Sequence, residues 1–220
     1  MARPLIITDC DEVLLHMVVP FRQWLDETHN VHFDFHERGF TEALRHKDSG
    51  LPVERALIWE LLTAFFDTEM PRQLPISGAM EAMARLSEIA DIVVLTNIGE
   101  RHHAQRIDQL AALGLHHPVY WNQGAKGRQL AEIVAQRQPS AALFIDDLPE
   151  HHQSVAKHVP GTWRLHMIGE PEIASSLPTA SHAHIRIDEW ARAETWISDR
   201  LSEGPAPLPA PDLSTRPETA

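Results

Sequence analysis

The sequence is poor in several things, and each shortage excludes something. A single cysteine, Cys10, rules out an intramolecular disulfide framework and any cysteine-based zinc cluster. No apolar run approaches the roughly 18 residues that a transmembrane helix needs. Met1-Ala2-Arg3-Pro4 leads at once into Leu5-Ile6-Ile7-Thr8, which leaves no stretch for a cleavable leader, so a cytoplasmic location is expected. Basic residues are scarce: 19 Lys+Arg stand against 31 Asp+Glu, a formal balance of −12. That argues against the basic footprint of a nucleic-acid binder and against a polybasic membrane surface. Histidine is plentiful at 15, with pairs at His102-His103, His116-His117 and His151-His152, yet no His-Glu-x-x-His spacing occurs, which argues against a zinc site. With 220 residues, 43% of them apolar, the chain has enough to bury one core domain with a small appendage.

Short apolar runs alternate with helical periods. Leu5–Thr8, Ile92–Thr96, Val119–Trp121, Ala142–Ile145 and Leu165–Ile168 have the character of buried strands. Between them, Met80, Met83 and Leu86, then Ile107, Leu110 and Ala111, then Leu130, Ile133 and Val134 fall at helical spacing. Near-continuous apolar strands joined by such helices predict an α/β fold with a doubly wound parallel sheet covered on both faces. Residues 1–16 and 76–202 form this core. Residues 17–75 interrupt it with a helical insert that shows no strand of comparable strength, one helix holding Phe21, Trp24 and Leu25 and another Leu57, Leu61, Leu62 and Phe65. Asp188 is placed to cap a last helix through Trp190, Ala193, Ile197 and Leu201. Residues 203–220 are a Pro-rich tail with little to bury, expected to be disordered or extended.

Chemistry-bearing residues gather at the ends of the proposed strands, where open parallel sheets place their ligands. Asp9 and Asp11 follow the first strand, Thr96 and Asn97 the second, and Asp146 and Asp147 the fourth, while Lys126 opens the helix after the third. One Asp after a strand is ordinarily a turn former, and Thr-Asn or a lone Lys means little. Together they put several acids at one sheet edge, where two like charges 4 Å apart cost about 4 kcal/mol at an effective dielectric near 20. A divalent cation relieves that cost, and an oxygen-only donor set suits Mg2+. Glycosyltransferases also carry Asp-x-Asp, but after a nucleotide-binding half, and only eight residues precede Asp9. A receiver module places its acidic pair first and its phosphorylated Asp mid-chain, the reverse of the order here.

Asp9-Cys10-Asp11-Glu12-Val13-Leu14, Leu95-Thr96-Asn97, Lys126 and Asp146-Asp147 together resemble the four motifs of the haloacid dehalogenase-like superfamily, over residues 5 to about 150. Glu12 departs from the pattern, which commonly has Gly there. The resemblance implies a Rossmannoid core, and it implies that Asp9 is a nucleophile forming an aspartyl-phosphate. It makes Asp11 the acid and base, protonated at the outset. Thr96, Asn97 and Lys126 would bind phosphate, with Arg128 the other candidate at the same helix start. Mg2+ would be held by Asp9, Asp146 and the backbone carbonyl of Asp11, with Asp147 behind them. Asp11 favours phosphate-ester hydrolysis over dehalogenation, because a halide leaves without a proton. The insert is similar to the α-helical cap that lies between the first two motifs.

The resulting expectation is a Mg2+-dependent phosphatase for a small phosphorylated metabolite, with a phosphotransferase, a phosphomutase or an inactive phosphate-binding scaffold as alternatives. Arg45, His46 and Lys47, in mid-insert, are expected to be a solvated charge run. His151 and His152 are expected at the surface, Cys10 as a small buried spacer, and Trp24, Trp59, Trp190 and Trp196 in the core.

Overall fold

The computed structural model describes residues 2–34 and 42–208. Strand β1 (Leu5–Thr8) opens the core and the chain then leaves it for α1 (Val18–Thr28), the antiparallel pair β2 (Val31–Phe33) and β3 (Leu44–His46), and α2 (Arg55–Thr68). It returns through α3 (Ala79–Ile89), β4 (Asp91–Thr96), α4 (His103–Ala112), β5 (Val119–Trp121), α5 (Gly127–Arg137), β6 (Ala142–Asp146) and α6 (Pro149–His158). The last elements are β7 (Trp163–His166), α7 (Pro171–Ala174), β8 (Ile185–Arg186) and α8 (Trp190–Glu203). The six core strands form one sheet in the order β5-β4-β1-β6-β7-β8, with every pair parallel. The fold class is therefore the expected one.

The alternation of side chains along each strand explains the unbroken apolar runs. Ile6, Val94 and Leu143 pack on one face with Ala82, Met83 and Leu86 of α3 and Trp190, Ala193 and Ile197 of α8. Leu5, Ile7, Val93, Leu95 and Phe144 pack on the other with Leu130 and Ile133 of α5 and Val155 of α6. The insert has a core of its own, in which Phe21, Trp24 and Phe65 meet edge to face or stacked and Phe66 packs edge to face on Phe65. Ile98, just after β4, is packed into that cluster and joins insert to core.

Several details differ from the sequence expectation. The insert contains the short β2–β3 pair, whose three-residue strands are too brief to register as an apolar alternation. β7 begins two residues earlier than its apolar stretch, because Trp163 and Arg164 pair with Leu143 and Phe144. Asp188 does not cap α8: it accepts from the backbone N–H of Ile168 and from Arg186, and Glu189 precedes the helix without a side-chain cap. Trp59 is half exposed rather than core. The first residues after α8 are docked, since the Ala206 N–H donates to Gly161 O, Trp163 Nε1 donates to Gly204 O and Ala206 is buried. The remainder of the Pro-rich tail, 209–220, lies outside the described residues. Among the described residues no helix is long and apolar enough to cross a membrane.

Candidate active site

β1 lies between β4 and β6, with Thr8 in register with Val94 and Ile145. The ladder runs one residue further, as the Asp9 N–H donates to Ile145 O at 2.8 Å. This sets the Asp9 side chain beside Asp146 at the end of β6. The chain then turns sharply: the N–H groups of Leu14 and Leu15 both donate to Cys10 O, and Glu12 takes φ +59. A left-handed backbone is where glycine is favoured, so Glu12 occupies the Gly-like position at some conformational cost.

Lys126 is fully buried, and its Nζ lies 2.7 Å from Asp9 Oδ1 and 2.7 Å from Asp146 Oδ2. Its place depends on Gly127, where a Cβ would stand 2.4 Å from Ser154 O, so the start of α5 can press against α6 only without a side chain there. Arg128, the other basic residue of this turn, is exposed. Asp9, Asp146 and Asp147 each offer a carboxylate oxygen within 4.8 Å of the others, a group that could hold a metal ion. Burial, only partly opposed by Lys126 and reinforced by Asp146 and Asp11, pushes the Asp9 carboxyl up to about 7. Asp147 is raised well above the usual range by burial and by Asp146 and Asp9. Burial also works against the Asp146 carboxylate, but Lys126, His151 and His152 outweigh it and hold Asp146 low. Fully ionised, the set would carry more negative charge than one lysine neutralises.

Thr96, at the end of β4, is buried, with its hydroxyl 3.4 Å from Asp11 Oδ2. Asn97 is exposed, and its side chain is turned to the loop before α5, donating to Gly124 O and accepting from Asn122 Nδ2. Asp11 is held from two sides. Arg106 Nη2 donates to both of its oxygens, at 3.0 and 3.1 Å, and Gln73 Nε2 donates to Oδ1 at 2.6 Å. Neither Arg106 nor Gln73 was among the sequence candidates. The signal for Arg106 is that it shares the helical stripe of Leu110 and Leu113, an arginine where an apolar residue is due. Gln73 has no comparable signal.

Glu12 answers the question raised by its departure from the motif. Its side chain turns toward the insert, where Oε1 accepts from the Met17 and Val18 N–H groups at 2.8 and 2.6 Å and so satisfies the open start of α1. Oε2 is buried with no partner. Burial, opposed by those two donors and aided by Glu170 and Asp11, pushes Glu12 up to about 7. A carboxyl raised in the folded state binds its proton more readily there than in the unfolded chain. Its stabilising contribution is complete below the unfolded value and is lost as pH rises through about 7. Glu12→Gln should therefore gain on the wild type by about 3 kcal/mol between pH 4 and 8, measured by urea unfolding in chelator. Parallel pH curves for the two proteins would contradict this.

The motif-adjacent histidines are not at the surface as expected: His151 and His152 are both buried. His152 Nε2 lies 3.0 Å from Asp146 O, and His166 Nε2 lies 2.8 Å from Asp147 O, so two imidazoles brace the acidic turn from below. Burial holds both low, His152 to about 4, which keeps them neutral. Cys10 is buried as expected, with Arg106 Nη1 3.0 Å from its Sγ. In the insert, Lys47 pairs with Asp26 and His46 lies 3.6 Å from Glu54, while Arg45 reaches Gly50 O. Among the described residues, the acidic group above is the one cluster of potential metal ligands.

No family model matches the sequence, and no curated protein matches it significantly. Solved structures do. The chain is similar to a haloacid dehalogenase-like family hydrolase from Streptococcus pneumoniae, with a TM-score of 0.62 at 14% identity over 88% of this chain and 97% of that one. It is similar to a haloacid dehalogenase-superfamily hydrolase of subfamily IA from Geobacter sulfurreducens, with a TM-score of 0.55 at 15% identity over 89% and 100%. A third is the D,D-heptose 1,7-bisphosphate phosphatase of B. bronchiseptica complexed with magnesium and phosphate, with a TM-score of 0.53 at 12% identity over 90% and 99%. The fold is haloacid dehalogenase-like.

Proposed function

We propose that this haloacid dehalogenase-like chain is a Mg2+-dependent phosphatase that cleaves a small phosphomonoester through an aspartyl-phosphate on Asp9. The observation that carries the reading is the buried Asp9–Lys126–Asp146 contact at the strand ends, with Asp11 two residues beyond the nucleophile. Both donors to Asp9, the Cys10 N–H and Lys126 Nζ, fall on Oδ1, which leaves Oδ2 to attack phosphorus. As the Oδ2–P bond forms, the P–O ester bond breaks and Asp11 delivers a proton to the leaving oxygen. Because Asp11 is ion-paired with Arg106 in the structure, the proton enters with the substrate, as the monoanion of a phosphomonoester carries one. Water then attacks the phosphoryl group, Asp11 takes its proton, and the Asp9 carboxylate and inorganic phosphate are released.

The donor set fits a hard divalent cation: oxygen ligands only, close together, with Asp9 and Asp147 raised by burial and then by their mutual repulsion. Asp9, Asp146 and the Asp11 carbonyl would hold it, with Asp147 behind. Bound there, Mg2+ would offset the charge of the phosphoryl oxygens. Thr96 and Lys126 supply a hydroxyl and a charge to the same oxygens. The insert lies over this edge through Gln73 and Phe66, so the substrate is one small enough to be enclosed between insert and core.

The test is release of inorganic phosphate from p-nitrophenyl phosphate and a panel of metabolite phosphates, with Mg2+ and with chelator. Turnover should depend on the metal, and Asp11→Asn should slow it by about 100-fold or more. A wild type inactive on the whole panel would overturn the reading, and equal turnover in chelator would overturn the metal dependence.

A further inference from the structure

Arg106 is fully buried at the site, and the chemistry above gives it no task. It stands on α4, in the stripe that otherwise carries leucines, and its guanidinium meets three side chains from two parts of the molecule, the turn after β1 and the insert. Nη2 grips both oxygens of Asp11, Nη1 lies 3.0 Å from Cys10 Sγ, and Cζ sits 5.6 Å over the ring of Phe66 from α2 of the insert. Nε is buried without a partner. A guanidinium in such a place is costly, and it is retained only where its geometry is used. Structural neutrality of Asp11 alone would ask for a charge and no more. The planar group does more: Nη2 spans both Asp11 oxygens while Nη1 is held on Cys10 Sγ, so the plane of the guanidinium is set and the carboxylate is placed against it.

The second holder of Asp11 comes from the insert. Gln73 stands where the chain returns to the core and donates to Oδ1. Its own Oε1 is buried and unpartnered, so the amide is placed by its bond to Asp11 rather than by its surroundings. The Asp11 carboxylate is thus clamped from α4 on one side and from the insert's return on the other, with Oδ2 next to the Thr96 hydroxyl.

We infer that Arg106 is a positioning residue for Asp11: with Gln73 it aims the carboxylate at the leaving-group oxygen and ties that aim to the insert through Phe66. The inference rests on the phosphatase reading, and it is separated from it by the choice of leaving group. Phenyl phosphate releases a phenolate that needs a proton, whereas 2,4-dinitrophenyl phosphate releases an ion that does not. Because kcat/KM covers the steps up to departure of the alcohol, it isolates proton delivery.

In Arg106→Met, kcat/KM for phenyl phosphate should fall about 100-fold, while that for 2,4-dinitrophenyl phosphate should change by about threefold or less. The kcat should fall with both, since Asp11 must also direct the attacking water. Arg106→Lys, which keeps the charge and loses the planar group with its second hold on Cys10, should recover little. Gln73→Met should show the same pattern at smaller size, and it serves as the readout if Arg106→Met does not fold. Equal losses of kcat/KM on both substrates, or full recovery in Arg106→Lys, would overturn the inference while leaving the phosphatase reading intact. A wild type inactive on both substrates would overturn both.

Discussion

Asp9→Asn should abolish phosphate release, by at least about 1,000-fold, and should do so without unfolding the protein. The asparagine oxygen can still accept from the Cys10 N–H and from Lys126, so the turn after β1 keeps its bonds. The substitution also removes one of three crowded carboxylates, the one that burial and its neighbours push up to about 7. The thermal midpoint should therefore hold or rise while activity disappears. The chemical signature is covalent. Acid quenching during turnover of 32P-labelled substrate should leave phosphate on the wild type, and more on Asp11→Asn, where hydrolysis of the intermediate is slowed. Asp9→Asn should take up none. Label on Asp9→Asn would remove Asp9 from the mechanism.

Lys126→Met should cause the largest loss of stability. It leaves Asp9 and Asp146 facing each other, both buried, with no counter-charge at 2.7 Å. Breaking a buried pair in this way costs about 3–5 kcal/mol, which in a chain of this size lowers the midpoint by about 10 °C. The pH dependence gives the cause. Asp146 is held low by Lys126, so in the wild type it contributes stability above its unfolded value that is lost on acidification. Without Lys126, Asp146 is raised instead and Asp9 is raised further, so the variant gains more stability than the wild type as they protonate. The gap between the proteins should shrink from pH 8 to pH 5, and Mg2+ should raise the variant's midpoint more than the wild type's. A variant that melts within about 2 °C of the wild type at pH 8 would show that the lysine is not what steadies the pair.

What could be read from the sequence follows the range of the interactions involved. The five strands of strong apolar character and the carboxylates after them announce themselves locally, because a buried strand must be apolar on both faces and the next residue projects over its end. β8, only two residues long and one of them an arginine, has no such mark and exists by pairing with β7. His151 and His152 have the local look of surface residues. What buries them is the packing of α6 on the sheet and, for His152, a bond to Asp146 O, neither visible in the order of residues. Arg106 and Gln73 are the clearest cases: they lie 95 and 62 positions from Asp11, and only the folded chain brings them to it.

The two passages between core and insert have a modular consequence. They are hydrogen-bonded to each other, with the His16 N–H donating to Leu74 O and the Ile76 N–H to Leu14 O, both at 2.9 Å. The two ends therefore stand one strand spacing apart, a gap that a tight turn spans. Everything between them forms a detachable cassette: a different lid could be spliced at Leu14 and Ile76 without lengthening or shortening the sheet beneath. Such an exchange would carry away Glu12's helix partner, Phe66 and Gln73 together, while Asp9, Lys126 and Asp146 kept every contact described for them. On the phosphatase reading, the boundary thus divides the groups that would cleave the ester from the parts that would decide which ester enters.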